Sequence, residues 1–179
     1  MTAAVFLGDF AKFNHWANTS MVNWLQELDP VLAEQPFNAG FGSIAVTLEH
    51  IADAQLNWLQ TLSGNIPNVE REISTDSSLQ RNCIRLLRGS QLLVEYVAGI
   101  TEQELYTTIG SDDHLDTRFN FLVHVINHST YHRGQIVLLT RLLGQTLEIS
   151  PTDFDAYNWV VREASDRCWR GVRQVLERS

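Results

Sequence analysis

The stretch FLVHVINHSTYHRGQIVLLTRLL, from Phe121 to Leu143, predicts one long helix that carries three histidines in a row. His124, His128 and His132 follow one another at intervals of four residues, so their side chains stack on one helix face with Cβ atoms about 5–6 Å apart. Random placement of six histidines in 179 residues would give about 0.2 pairs at this spacing, and this helix contains two. The spacing therefore indicates that the imidazoles do more than pack.

A histidine pair four residues apart on a helix can bind one metal ion with both imidazoles. His128 and His132 form the predicted pair, and His50 lies beside the apolar stripe of another predicted helix, in LEHIADAQLNWL. Together these three residues predict a three-nitrogen site for Zn²⁺, Ni²⁺, Fe²⁺ or Mn²⁺. Three protein ligands leave a coordination position for water or substrate, which is typical of catalytic sites.

The histidines also allow a metal-free interpretation, in which they form a hydrogen-bonded polar core. That interpretation requires a partner for each buried nitrogen. His124 lies one turn from the pair, so we expect it to support the ligands or to pack beside them. His15 and His114 are expected on the surface.

Two further residues of the histidine helix have several possible roles. Arg133 could be a solvated residue, a partner in a core ion pair or a group that binds a carboxylate. Gly134 costs the helix about 1 kcal/mol relative to alanine, and either close helix approach or substrate access would explain its presence.

Apolar residues recur every three or four positions in four long segments, the pattern of amphipathic helices. These predicted helices cover residues 5–28, 44–62, 77–98 and 121–143, and Ser43 is the expected N-cap of the second. A shorter fifth helix is expected from Ser150 to about Ala164. The prediction is an all-α fold, an up-and-down four-helix bundle with a short fifth C-terminal helix, in a single domain over residues 1–179.

Composition excludes several classes of function. The net charge of −8 argues against a nucleic-acid-binding protein, and the single lysine, Lys12, argues against Schiff-base chemistry. The chain has no run of 18 apolar residues and no basic N-terminal leader, so we expect no membrane span and no signal peptide. Cys83 and Cys168 form no C-x-x-C motif and are expected to be reduced thiols, which favours a cytoplasmic protein.

Four segments, which together span nearly the whole chain, resemble the DinB (damage-inducible, YfiT-like) family. NHSTYHRGQIVLLTRLLG is similar to the family's fourth-helix signature, and FNHWAN is similar to its first-helix motif, with Phe13 in place of a tyrosine. GSIAVTLEHIADAQLNWL and SPTDFDAYNWV resemble its second helix and the start of its final helix. The resemblance implies a four-helix bundle, commonly a homodimer, whose metal is bound by His50, His128 and His132.

The resemblance also suggests chemistry, because relatives in the wider superfamily transfer low-molecular-weight thiols to electrophiles. A divalent ion would bind the thiol sulfur and favour its thiolate at neutral pH. The first hypothesis is therefore a metal-dependent thiol S-transferase or a related thiol-using enzyme acting on small electrophiles, although no residue is a convincing general base. The alternatives are a metal-dependent hydrolase and a non-catalytic, metal-binding dimeric bundle of the stress response.

Overall fold

A computed structural model describes residues 2–75, 77–111, 115–145 and 151–161 of the chain. The predicted helices are present within one or a few residues of their expected limits. The long helices are α1 (Ala3–Leu25), α3 (Ile44–Ser63), α4 (Ser78–Gly99) and α6 (Arg118–Leu142), and the short ones are α2 (Pro30–Ala33) and α5 (Glu102–Leu105). Strands β1 (Thr108–Ile109) and β2 (Asp116–Thr117) pair antiparallel ahead of α6.

Local signals fix both ends of α3, the helix that carries His50. The hydroxyl of Ser43 accepts a hydrogen bond from the Val46 N–H at 3.1 Å, as expected of an N-cap. Gly64 ends the helix in the left-handed conformation at φ +76°, which glycine adopts without steric cost.

The four long helices surround a core that consists of two apolar clusters, one toward each end of the bundle. Helix α1 packs against α4 and α6, and α3 packs against the same two helices. Consequently α1 and α3 occupy opposite corners, as do α4 and α6. The predicted all-α four-helix bundle is confirmed.

The helix directions run up, down, down and up, where strict up-and-down alternation was expected. Helices α3 and α4 are parallel: Asn82 donates to the Ala45 carbonyl at one end of the pair, and Tyr96 donates to the Leu62 carbonyl at the other. At about 3.3 Å per residue, the segment 64–77 can span roughly 45 Å. This exceeds the length of the 20-residue α3, about 30 Å, so the chain can return to its starting end before α4 begins.

Residues 154–161 are helical and are called α7 here. Phe154 and Tyr157 on this helix meet the aromatic ring of Phe13 on α1, at centroid distances of 5.2 and 6.0 Å. The end of the predicted fifth helix lies outside the described residues, as do Cys168 and His114. None of the described helices is long and apolar enough to cross a membrane.

Replacing Ser43 by alanine should lower the free energy of unfolding by about 1 kcal/mol, because the first turn of α3 loses a side-chain acceptor. Urea unfolding monitored by circular dichroism would measure the loss. Ser43→Thr keeps the hydroxyl and should remain close to wild type. Equal stability of Ser43→Ala and wild type would show that this cap does not stabilise the bundle.

Candidate metal centre

Three histidines from α3 and α6 converge at the contact between these two helices. The Nε2 atom of His128 lies 3.1 Å from Nε2 of His50 and 3.0 Å from Nε2 of His132. One ring nitrogen of each residue lies within 4.8 Å of those of the other two. The structure thus brings together all three residues that the sequence singled out as ligands.

Burial lowers the pKa of two of the three imidazoles, His50 and His128. His132 is 5% exposed, while His50 and His128 are half-buried. Desolvation lowers the pKa of His128 from 6.5 to about 4, with additional effects from His132, His50 and His124. Desolvation, followed by His132, also lowers the pKa of His50. Neutral imidazole is the form that binds a metal ion.

Gln135 fixes the tautomer of His132. Its side-chain oxygen accepts a hydrogen bond from Nδ1 of His132 at 2.8 Å, so a neutral His132 presents the lone pair of Nε2 to the other histidines. An oxygen acceptor in this position, most often a carboxylate, a backbone carbonyl or water, commonly orients a metal-binding histidine.

The arrangement of the nitrogens fits a divalent ion better than a network of hydrogen bonds. A neutral His128 has at most one hydrogen on Nε2, so it can donate to His50 or to His132 but not to both. Two nitrogens on one tetrahedral zinc ion would be roughly 3.3 Å apart, close to the observed separations. His50, His128 and His132 could therefore hold a metal ion together.

One side of the histidine cluster is accessible from solvent and is flanked by aromatic rings. The ring of Phe41 stacks on His50 at a centroid distance of 4.0 Å and lies 5.3 Å from His132. Tyr131 lies 4.9 Å from His132 and is 64% exposed. No fourth histidine, cysteine or carboxylate among the described residues joins the three nitrogens.

The remaining histidines lie outside the cluster. His124 is exposed, and its ring contacts Trp58 at 5.5 Å and His128 at 5.7 Å, which agrees with the expected packing role beside the site. His15 was expected on the surface, but it is half-buried and its Nδ1 lies 2.8 Å from the hydroxyl of Ser90. The prediction was wrong because α1 turns this residue toward α4.

Arg133 has none of the three roles considered from the sequence. It is buried against α1, where its Nη1 donates to the side-chain oxygens of Asn14 and Asn18 at 2.9 and 2.8 Å. Its Nη2 donates to Thr130, and it makes no ion pair with a described residue. Burial lowers the pKa of the guanidinium to about 10, so the group stays charged at neutral pH.

The hydrogen bonds of Arg133 continue through all four long helices. Asn14 donates to Oε1 of Gln55 on α3 at 2.8 Å, and Gln55 donates to the Leu86 carbonyl on α4 at 3.4 Å. Gln55 lies five residues after His50 on α3, and Arg133 directly follows His132 on α6. The network therefore links the two helices that carry the histidines.

Gly134 is exposed, and a Cβ atom placed on it would meet no atom within 4 Å. Close approach to a neighbouring helix of the described chain therefore does not explain this glycine. Gly134 lies two residues after His132, so it also faces away from the histidine cluster, and substrate access does not explain it either.

The sequence analysis did not predict several residues of the site. Gln135 could have been found, because it lies three residues after His132 and such residues are neighbours on a helix. The pair Asn14 and Asn18 gave a weaker signal, as polar residues beside the apolar stripe of α1. Phe41 lies in an aperiodic connection and gave no signal.

Comparison with known proteins identifies the family of this chain. The model of the DinB family matches residues 1–164. Protein DinB of Bacillus subtilis is 26% identical over 170 residues, which cover 87% of this chain and 98% of that protein.

Two solved structures share the fold. A DinB-like protein from Bacillus cereus has a TM-score of 0.63 at 20% identity, covering 79% of this chain and 94% of its own. YfiT from Bacillus subtilis, described as a probable metal-dependent hydrolase with an unusual four-helix bundle topology, has a TM-score of 0.60 at 14% identity. The match covers 76% of this chain and 87% of YfiT. The chain belongs to the DinB family.

Replacing Arg133 by methionine should lower the free energy of unfolding by about 1–3 kcal/mol, because buried amide oxygens of Asn14 and Asn18 lose their donor. Denaturant unfolding at neutral pH measures the change. Arg133→Lys should recover only part of it, since an ammonium lacks the planar fork that reaches two acceptors. Arg141→Met on the exposed face of α6 is the control, expected to change stability by about 0.5 kcal/mol or less. Equal losses at the two positions would contradict the network's role.

The metal-free protein should lose stability as the pH falls through the range from 6.5 to about 4. The pKa of His128 is lowered in the folded state, so the unfolded chain binds this proton at a higher pH than the folded protein does. Protonation of the unfolded chain therefore reduces the free energy of unfolding. This reduction is absent above pH 6.5 and grows as the pH falls below it. Urea unfolding in chelator, from about pH 7 to about pH 5, measures the slope. His128→Gln should reduce the slope but not remove it, because the lowered pKa values of His50 and His15 act in the same direction. An unchanged slope in that variant would refute this assignment.

Proposed function

We propose that this DinB-family protein is a metal-dependent enzyme that transfers a low-molecular-weight thiol to a small electrophile. In this proposal His50, His128 and His132 hold one divalent ion, and the thiol binds at the exposed side of the histidine cluster. The observation that carries the proposal is the set of three convergent imidazoles with no fourth histidine, cysteine or carboxylate among the described residues.

Neutral donors support thiol chemistry in particular. A divalent ion on three imidazoles keeps most of its positive charge and lowers the pKa of a thiol that binds to it, which supplies a nucleophile at neutral pH. Such a thiol needs no separate protein base. This agrees with the cluster, which contains no carboxylate from the described residues.

The protein's own residues would orient and shield the reacting groups. Gln135 holds the ring of His132 through Nδ1, and the network around Arg133 holds α6 against α1. Phe41 stacks on one face of His50 and would shield that face from water. Each of these contacts would reduce the freedom of the ligands before substrate arrives.

A metal-dependent hydrolase is the second candidate. It is favoured by the similarity in fold to YfiT, described as a probable metal-dependent hydrolase. The same three histidines would serve, with water in place of the thiol. A general base would help such a reaction. Among the described residues, the exposed His124 is the nearest remaining imidazole, with its ring centroid 5.7 Å from that of His128.

A non-catalytic, metal-binding protein of the stress response is the third candidate. A structural metal site is normally closed by four protein ligands. The three-histidine cluster and its accessible side favour catalysis over this role. The homodimer implied by the family resemblance and the cytoplasmic location expected from the sequence also remain part of the proposal.

Protein purified without chelator should contain about one equivalent of a divalent metal, measured by mass spectrometry. His128→Ala and His132→Ala should each lose it, because two imidazoles bind far more weakly than three. His124→Ala is the matched control: it removes an exposed histidine one turn away and should retain the metal. Retention of metal in His132→Ala would contradict the proposed ligand set.

Activity assays should separate the two enzymatic candidates. The metal-loaded protein should conjugate one of several low-molecular-weight thiols to an aryl halide, and His128→Ala should reduce the rate to background. Ester or amide hydrolysis without any thiol would favour the hydrolase. Metal binding with neither activity would favour the non-catalytic role.

A further inference from the structure

The exposed side of α6 carries apolar residues where a surface helix normally carries charged ones. Tyr131, Leu138 and Leu142 are 64%, 56% and 63% exposed. They follow one another at intervals of seven and four residues, so they line one face of the helix. A helix that is apolar on every side is normally covered on every side. The long helices that pack against α6, which are α1 and α3, leave this face uncovered.

Gly134 lies on the same face, three residues after Tyr131 and four before Leu138. It is exposed, and a Cβ atom placed on it would meet no described atom within 4 Å. Neither the described neighbours nor the histidine cluster explains a residue that weakens the helix relative to alanine. A glycine on an exposed face allows the backbone of another helix to approach closely, because the distance between packed helices depends on the side chains at the contact.

The charge of this face suits a second copy of the same chain. The chain has a net charge of −8 and 21 acidic residues among 179, so two copies repel each other unless they meet on a face without carboxylates. Helix α6 contains no aspartate or glutamate in its 25 residues. A basic partner would instead be attracted to the acidic surfaces elsewhere. An uncharged centre that includes a tyrosine is typical of the core of a protein–protein interface.

We propose that Tyr131, Gly134, Leu138 and Leu142 form a docking surface, the α6 stripe, that binds the same stripe of a second copy. The two α6 helices would be antiparallel and would cross near Gly134. Tyr131 and Leu138 lie on opposite sides of Gly134 at nearly equal distances, so an antiparallel crossing places Tyr131 against Leu138 of the partner subunit, and the two-fold axis repeats this contact. The antiparallel order also opposes the helix dipoles and keeps the two copies of the exposed Arg141 apart.

The α6 stripe borders the candidate metal centre. The ring of Tyr131 lies 4.9 Å from that of His132, so the partner helix would lie beside the accessible side of the histidine cluster. The inference rests on the proposed function, which includes the homodimer, and it specifies the surface through which the two copies meet.

The test is sedimentation analysis of the full chain over a range of concentrations. Wild type should be a dimer at micromolar concentration. Leu138→Glu places a carboxylate against Tyr131 of the partner subunit and should raise the dissociation constant of the dimer at least about a hundredfold. Gly134→Leu should raise it by roughly tenfold by preventing close approach, although leucine favours the helix and the free chain should unfold no more easily than wild type.

Ile84→Glu is the matched control for Leu138→Glu. Ile84 is 39% exposed on α4, at the opposite corner of the bundle from α6, so this variant should dimerise like wild type. A monomeric wild type, a dimer that Leu138→Glu and Gly134→Leu leave intact, or a dimer that Ile84→Glu dissociates equally would overturn the proposal. The measurement needs neither metal nor thiol, so a negative result would leave the proposed metal and thiol chemistry standing. Failure of the metal or thiol assays would likewise leave the docking surface standing.

Discussion

The fold depends on one buried cation, the guanidinium of Arg133. Its positive charge lies in the core among neutral amide oxygens, and acceptors on a neighbouring helix replace part of the water that its donors lost. Asn14 and Asn18 supply two of those acceptors from α1, and Gln55 extends the chain of hydrogen bonds to α3. Apolar packing alone allows helices to slide and rotate by small amounts, whereas these directional bonds admit one arrangement.

That arrangement matters because the candidate metal centre is assembled from two helices. His132 faces α3 and the adjacent Arg133 faces α1, so α6 has polar side chains buried on two sides. A rotation of α6 that moved His132 away from His50 would also break the hydrogen bonds of Arg133. The polar network and the histidine cluster therefore both restrict rotation of α6. Each stabilises the orientation of α6 that the other requires.

The sequence predicted those features that depend on local spacing. Helix limits followed from periodicity and caps such as Ser43, and the histidine pair followed from the rise of a helix. The parallel order of α3 and α4 was not predicted, because it depends on the path of the segment 64–77 and leaves no periodic pattern. His15 was assigned wrongly to the surface, and the role of Arg133 was left open among alternatives that the structure does not show. The reason is related: whether a polar residue is buried depends on the partner that another helix presents. Phe41 escaped notice because its contacts come from a turn between glycines.

The arrangement of helices has a consequence for how the chain reaches this structure. Helical bundles usually fold fast because sequential helices pair as antiparallel hairpins, whose contacts join residues close in sequence. In this bundle α1 and α3 are at opposite corners, and the sequential pair α3 and α4 is parallel. The contacts of α1 with α4 and α6 join residues far apart in the chain, such as Asn14 and Arg133. Closing these large loops costs entropy before core contacts compensate for it, so we expect the search for the native topology, and not helix formation, to set the folding rate.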